Sequence, residues 1–412
     1  MGNESLEKEQ IAGKPCEADL SGCLIQGTLR DIYKAPSDKT QTGSAAQFDR
    51  SDQALVAARD TLKHSLSGKV GGEEFDRLTN AVEDRARDVG LTPAQVEKTY
   101  EQINRIATAT GEKPMTSENR TMLVKQFMQH MGEAAPPLSG KADTCEWGVL
   151  AFRMMQKEPD VLGKMVADMA TTGHFKLPDG RKIKIDAQSL EPDANAKHAD
   201  FTHRDYFGQI ASVGLDNVKW ATETEDPDGN KVKLGTLHFQ QKPEFSGADI
   251  GERVFGKENG KKVVFGDEKN GGVGGLAYLD DPQKVEALLT GKKHPDYAVY
   301  LTGKGTDGRN HVDSPAELAE MLKVMQTNGD WPATMNVFAD KSPVREIYLQ
   351  RNPSAAKAPD SFHGLAVVNV KDVNGKPVAT VYNPWGYMSE VPVATLFDAL
   401  SAPPKPEDQK EK

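Results

Sequence analysis

Residues 361–386 read SFHGLAVVNVKDVNGKPVATVYNPWG, and this stretch determines the fold expected for the second half of the chain. The run LAVVNV alternates little between apolar and polar residues, which is typical of a strand buried on both faces. Asn374-Gly375 is a strong signal for a two-residue hairpin turn, and PVATVY follows it as the returning strand. The sequence therefore predicts a buried antiparallel hairpin whose two ends carry His363 and Asn383.

These two polar residues are expected to lie side by side. They are 20 residues apart with the turn near the midpoint, so antiparallel pairing brings them together. The amide oxygen of Asn383 can then accept a hydrogen bond from one ring N–H of His363, which leaves the other ring nitrogen to face a nucleophile. Trp385 follows two residues later, and we expect it to shield this hydrogen bond from water.

A candidate nucleophile lies far upstream in KADTCEWGVLAF, residues 141–152. Cys145 follows Asp143 and Thr144, two residue types that favour helix N-caps, and it begins an apolar helical run. Unpaired N–H groups at a helix start stabilise a thiolate and make it nucleophilic. The alternative is that Cys145 is a small buried apolar residue, the commonest fate of an isolated cysteine.

Taken together, these segments resemble the papain-like cysteine peptidases, and specifically their calpain-like branch. The resemblance is carried, in chain order, by TCEWGVLA, FHGLAVV and YNPWG, and it covers roughly residues 136–395. It implies an α+β, papain-like two-lobed fold, with the cysteine helix in one lobe and the strands of the histidine and asparagine in the other. It also implies a peptidase without metal or cofactor that cleaves polypeptides with Cys145 as nucleophile, His363 as base and Asn383 as the orienting residue.

Three positions depart from the family pattern. Glu146 separates Cys145 from Trp147, which moves the aromatic ring, expected as support for the cleft, by about 100° around the helix. The family has a glutamine six residues before the cysteine as an oxyanion donor, and the shorter Ser139 stands there. Phe362 replaces the glycine that usually precedes the histidine.

These departures leave two alternatives to an active peptidase. One is a catalytically weakened or dead peptidase fold that acts as a protein-binding module. The other is an acyl transferase with the same dyad, as in transglutaminases, although the NPWG motif favours the peptidase branch.

The hydrophobic pattern divides the chain into four parts. Residues 1–45 lack periodicity and predict a disordered leader. Residues 50–132 predict a domain of four amphipathic helices, the third with Thr92 as N-cap and Pro93 at its first position. Ala135-Pro136-Pro137 marks a boundary, residues 136–398 form the expected peptidase domain, and residues 399–412 a disordered tail. The helical block is expected to bind a protein partner or to inhibit the peptidase domain.

The composition limits the partners. A net charge of −10, without a stripe of lysine and arginine, disfavours nucleic acid. No window approaches the ~20 apolar residues of a membrane span, and the amino terminus lacks a secretory signal. We therefore expect a soluble protein without membrane contact, either cytoplasmic or exported without a classical signal peptide. Cys16 and Cys23 are expected to be reduced thiols.

Overall fold

The computed structural model is an α+β structure that describes twelve segments of the chain. These are residues 48–132, 144–193, 196–197, 204–224, 231–241, 252–258, 261–265, 281–294, 297–301, 310–351, 355–358 and 362–400. The predicted leader, the boundary near 133–140 and residues 401–412 of the predicted tail lie outside the described residues, as do Cys16, Cys23 and Ser139. Ala399 and Leu400, which the predicted tail included, are buried, and Ala399 ends a helix.

The four helices predicted between residues 50 and 132 are confirmed. Their bounds are α1 Gln53–Leu66, α2 Gly72–Val89, α3 Pro93–Thr108 and α4 Ser117–Gly132. Thr92 caps α3 as predicted, because its hydroxyl accepts from the Gln95 amide at 3.2 Å while the Gln95 side chain accepts from the Thr92 amide at 3.0 Å.

These four helices share one hydrophobic core with the helices that follow. The later members are α5 Cys145–Lys157, α6 Pro159–Thr172, α7 Tyr206–Thr222 and α8 Asp281–Thr290. Phe127 of α4 stacks on Phe207 of α7 with ring centroids 4.7 Å apart, and Gly163 of α6 packs against the same Phe127 ring. Within the described residues, therefore, the boundary near 133–140 does not separate two cores.

Two small antiparallel sheets lie along the middle of the chain. Strands β1 His174–Lys176 and β2 Lys182–Lys184 pair across the turn Pro178-Asp179-Gly180, where Gly180 has a φ of 87°. Strands β3 His238–Gln241, β4 Glu252–Glu258 and β5 Lys261–Phe265 form the second sheet. Glu258 of β4 pairs with Lys261 of β5, and residues 259 and 260 between them lie outside the described residues.

The main sheet has six strands in the order β11-β10-β9-β8-β6-β7. Strands β8 to β11 pair antiparallel, whereas β6 pairs parallel with both β7 and β8. Strand bounds are β6 Ala298–Leu301, β7 Asn310–Val312, β8 Ala333–Phe338, β9 Phe362–Val373, β10 Lys376–Asn383 and β11 Tyr387–Pro392.

The predicted hairpin is the centre of this sheet. Asn374 and Gly375 have φ values of 52° and 76°, the double positive pattern of a type I′ turn. Residues of β9 alternate between two cores, since Ala366 and Val368 pack on the helical body while Leu365 and Val367 face the other side. The absence of alternation in LAVVNV therefore reflects burial on both faces, as predicted.

The second core lies under three further helices, α9 Pro315–Asn328, α10 Val344–Arg351 and α11 Val393–Ala399. Ser314 caps α9 by accepting from the Glu317 amide at 3.2 Å. The Glu317 carboxylate accepts from the amide of Asp313, so the reciprocal half of a capping box with Ser314 is not formed. In the described part of the chain, no helix combines the length and apolar character needed to cross a bilayer.

Candidate active site at the junction of α5 and β9

The structure brings His363 and Asn383 together. His363 is the second residue of β9, Asn383 is the last of β10, and both are buried. The Nε2 atom of His363 lies 2.9 Å from Oδ1 of Asn383, and the backbone N–H of Trp385 donates to the same oxygen at 2.9 Å. An atom that accepts from a backbone N–H is the carbonyl oxygen, so His363 donates through Nε2. In the neutral ring, Nδ1 is then the unprotonated nitrogen.

The NPWG motif holds this pair in place. It forms a turn between β10 and β11, in which the Gly386 amide donates to the Asn383 carbonyl at 2.9 Å and Gly386 has a φ of 91°. The amide group of Asn383 also donates to the hydroxyl of Tyr387. The Trp385 ring lies over His363 with centroids 4.0 Å apart and planes at 36°. That it shields the hydrogen bond from water stays a prediction.

Burial controls the charge of His363. It lowers the pKa of His363 to about 4, and the hydrogen bond to Asn383 opposes this shift only in part. The imidazole is therefore a neutral base at physiological pH.

Cys145 lies against Gly364, the residue that follows His363 in β9. It is the first residue of α5, and its Sγ accepts from the Gly364 backbone N–H at 3.4 Å. Gly364 has no side chain to hold α5 away, and a Cβ there would lie 3.3 Å from both N and Cα of Glu146. Sequence reasoning did not assign a role to Gly364, although a glycine directly after the candidate base was a readable signal.

The start of α5 differs from the sequence prediction. Thr144 does not cap the helix through its side chain; its hydroxyl accepts from Nη1 of the buried Arg204 at 3.0 Å. Glu146 directs its carboxylate at the thiol, with Oε2 accepting from Sγ of Cys145 at 3.0 Å. A carboxylate beside sulfur and a buried imidazole that resists protonation both disfavour a thiolate–imidazolium pair. Both contacts oppose the thiolate that the helix start predicts, and the thiolate itself stays a prediction.

Trp147 does not line the cleft. It is fully buried in the helical body, where its Nε1 donates to Oδ1 of Asp216 in α7 at 2.6 Å. The extra residue after Cys145 turns the ring away from the sheet, so Trp147 supports the cysteine helix from behind.

Two further residues fix α5 against the sheet. Phe152 stacks on Tyr382 of β10 with centroids 3.9 Å apart. Arg153 is buried, pairs with Glu286 at 3.1 Å and donates to the Pro332 carbonyl at 2.8 Å. The position of Cys145 relative to His363 is therefore set by packed contacts along the whole helix.

Asp216 carries an unusual charge state for a carboxyl group. Burial raises its pKa to about 8, while Lys219, the hydrogen bond from Trp147 and Arg204 oppose the shift and Glu146 adds to it. An aspartate in the middle of the apolar run of α7 was the sequence signal that could have identified this contact.

Replacing Asp216 with asparagine should remove a pH dependence of stability. The folded-state pKa lies above the unfolded value of 3.8, so the contribution of Asp216 to stability is fully present below pH 3.8 and is lost as pH rises through 8. The loss is on the order of 5 kcal/mol for a shift of this size. We expect Asp216→Asn to match the wild type near pH 4 and to be more stable at pH 8, measured by urea unfolding.

Asp60→Asn, on the exposed surface of α1, is the matched control for this measurement and should follow the wild-type curve. Parallel stability curves for wild type and Asp216→Asn would contradict the assigned charge state.

Among the described residues, no group of three or more histidine, cysteine, aspartate or glutamate side chains is placed to hold a metal ion. No protein-family model matches the chain, and neither a curated protein nor a solved structure matches it.

Proposed function

We propose that this chain is a cysteine peptidase of the papain-like, calpain-like type, with Cys145 as nucleophile, His363 as base and Asn383 as the orienting residue. The observation that supports this most directly is the double acceptance at Asn383 Oδ1, from His363 Nε2 and from the Trp385 amide. It fixes the imidazole in the tautomer whose Nδ1 can take a proton from a thiol.

The proposed reaction begins from the neutral pair. His363 Nδ1 takes the proton of the Cys145 thiol as sulfur attacks the peptide carbonyl, and the π electrons of the C=O bond move to oxygen. Collapse of the tetrahedral intermediate expels the amine, which receives the proton from His363. Water, deprotonated by the same imidazole, then attacks the thioester, and the free acid leaves as the thiol is restored. Because the base is not charged at rest, proton transfer accompanies attack.

A second candidate function is a protein-binding module built on an inactive peptidase fold. The contact between the Glu146 carboxylate and the Cys145 thiol favours it, since this contact holds the sulfur in its protonated form. Ser139, the position expected to contribute to the oxyanion site, lies outside the described residues.

Acylation of the folded chain separates the two functions. A peptidase should be acylated at Cys145 by N-acyl amino acid p-nitrophenyl esters, with a burst of nitrophenolate followed by steady turnover. Mass mapping should place the acyl group on the Cys145 peptide, while Cys16 and Cys23 serve as internal reference thiols. A Cys145 rate no higher than that of the reference thiols, without turnover, would support the binding module.

A further inference from the structure

Asn383 uses both ends of its side-chain amide. Oδ1 accepts from His363 Nε2 and from the Trp385 amide, while the nitrogen Nδ2 donates to the hydroxyl of Tyr387. Asn383 is fully buried, so bulk water does not replace any of these partners. The proposed reaction uses only the oxygen end of this amide and gives the partner of the nitrogen end no role.

Strand pairing places Tyr387 beside Asn383. Tyr387 is the first residue of β11 and lies directly opposite Asn383, the last residue of β10. Side chains of such a cross-strand pair lie on the same face of the sheet, with Cβ atoms about 4.5–5.5 Å apart. Tyr387 is buried, and the next residue, Met388, packs in the core of the helical body. The position of the hydroxyl relative to the amide is therefore set by the sheet.

Fixing the nitrogen end of the amide also fixes its oxygen end. Oδ1 and Nδ2 lie in one plane and turn together about the Cβ–Cγ bond, so a rotation that moves one atom moves the other. The Trp385 N–H selects which end faces His363, because the amide oxygen accepts and the amide nitrogen does not. It does not restrain the nitrogen end. A buried Nδ2 without an acceptor would turn towards other partners and take Oδ1 away from His363 Nε2.

On the basis of the proposed function, we infer that Tyr387 is a positioning residue whose hydroxyl holds the Asn383 amide in the orientation that keeps the proton of His363 on Nε2. Nδ1 is then the ring nitrogen that can take a proton from Cys145. The aromatic ring of Tyr387 does not suffice for this role, because a phenyl ring offers no oxygen to Nδ2.

The position of the His363 proton can be measured without any peptidase activity. Long-range proton–nitrogen correlation spectra of the full chain with ¹⁵N-labelled histidine distinguish a protonated from an unprotonated ring nitrogen, and comparison with His363→Gln assigns the signals. At neutral pH the wild type should carry the proton on Nε2. Tyr387→Phe leaves Nδ2 without its acceptor, so the ratio of the Nε2–H to the Nδ1–H tautomer should fall by about 10-fold.

Tyr206→Phe is the matched control. It also removes a buried tyrosine hydroxyl, one that donates to the Leu190 carbonyl in the helical body, so it should cause a similar loss of stability in urea unfolding. It should leave the His363 proton on Nε2. The same ring-nitrogen signals in wild type and folded Tyr387→Phe would overturn the inference, as would an equal change in Tyr206→Phe.

Asn383→Asp supplies a second background for the same measurement, because both ends of a carboxylate accept hydrogen bonds and neither orientation is wrong. Tyr387→Phe added to Asn383→Asp should therefore leave the proton on Nε2, although Tyr387→Phe alone removes part of it. If the double variant loses the Nε2 proton as far as Tyr387→Phe alone does, the hydroxyl does not act by holding the amide, and the inference is wrong.

Acylation separates this inference from the proposed function. With an N-acyl amino acid p-nitrophenyl ester, Tyr387→Phe should lower the rate of Cys145 acylation by about 10-fold with little change in KM, whereas Tyr206→Phe should keep the wild-type rate. Wild-type acylation with an unchanged proton position in Tyr387→Phe overturns the role of Tyr387 and leaves the peptidase intact. A changed proton position in a chain that is not acylated at Cys145 supports the hold of Tyr387 on the amide and removes the peptidase assignment.

Discussion

Replacing His363 with glutamine is expected to lower the rate of Cys145 acylation by about 10²–10⁴-fold, the usual contribution of a positioned general base. In the proposed reaction, the Cys145 thiol lies 3.0 Å from a carboxylate oxygen of Glu146 and depends on the imidazole to remove its proton during attack. Glutamine keeps a polar side chain of similar length but cannot take the proton. Burst kinetics with an N-acyl amino acid p-nitrophenyl ester measure the acylation step directly.

The pH dependence gives this prediction a second readout. The pKa of His363 is lowered to about 4, below the unfolded value of 6.5. The neutral base therefore persists to about pH 4, and the acid limb of the wild-type acylation profile should lie there. The same shift contributes stability that is present above pH 6.5 and is lost as pH falls through 4, about 3 kcal/mol in total. His363→Gln should lack this loss.

An acid limb near pH 6.5 in the wild type would show that the imidazole is solvated and not buried. An unchanged acylation rate in His363→Gln would show that another group takes the proton, and Glu146 would then be the first residue to replace.

Much of the hairpin and its site could be predicted from sequence because the signals are local. Asn374-Gly375 specifies a turn with two positive φ values, and the turn fixes the register that brings His363 to Asn383. The apolar run of β9 likewise predicts burial on both faces. Each of these inferences depends on residues within one supersecondary unit.

The electrostatics of the site could not be predicted in the same way. The helix start at Cys145 indicated a thiolate, but the charge on sulfur depends on a carboxylate one residue away and on the burial of a histidine more than 200 residues downstream. Trp147 was expected near the cleft, and its buried position could not be predicted. Its partner, Asp216, lies on a helix that only the tertiary structure brings into contact with α5. Burial and long-range pairing decide both cases, and neither has a periodicity that the sequence displays.

The hydrophobic core that the helices before and after residues 133–140 share could also not be predicted from the sequence. The proline pair at 136–137 predicts a break in the helix, and a break in local structure is often a domain boundary. Here the helices before it and after it share apolar contacts such as Phe127 with Phe207. An inhibitory or partner-binding role of residues 50–132 stays a prediction, and the shared core means that removal of this block would expose the helices that support Cys145.

The proposed orienting role of Asn383 predicts the second large effect. Asn383→Ala removes the acceptor for His363 Nε2 and for the half-buried Trp385 amide, and leaves the buried His363 donor unpaired at a cost of about 1–3 kcal/mol. The ring is then free to rotate and change tautomer. We expect turnover to fall by about 10²-fold, since misplacement of a reacting group by about 1 Å has an effect of this size. The order of severity is Cys145→Ala, then His363→Gln, then Asn383→Ala.

Loss of stability alone could also lower activity, so a variant that keeps the acceptor is needed. Asn383→Asp can accept from both His363 and Trp385, and the Tyr387 hydroxyl can turn to donate to its second oxygen. Its charge favours the imidazolium form, so the pKa of His363 should rise from about 4 and the acid limb of acylation should move up with it. If Asn383 only stabilised the turn, this substitution would not change the pH of the acid limb of acylation. If acylation in Asn383→Asp keeps the wild-type pH profile, and Asn383→Ala retains full turnover while folded, then Asn383 does not orient the base and the NPWG motif serves the turn alone.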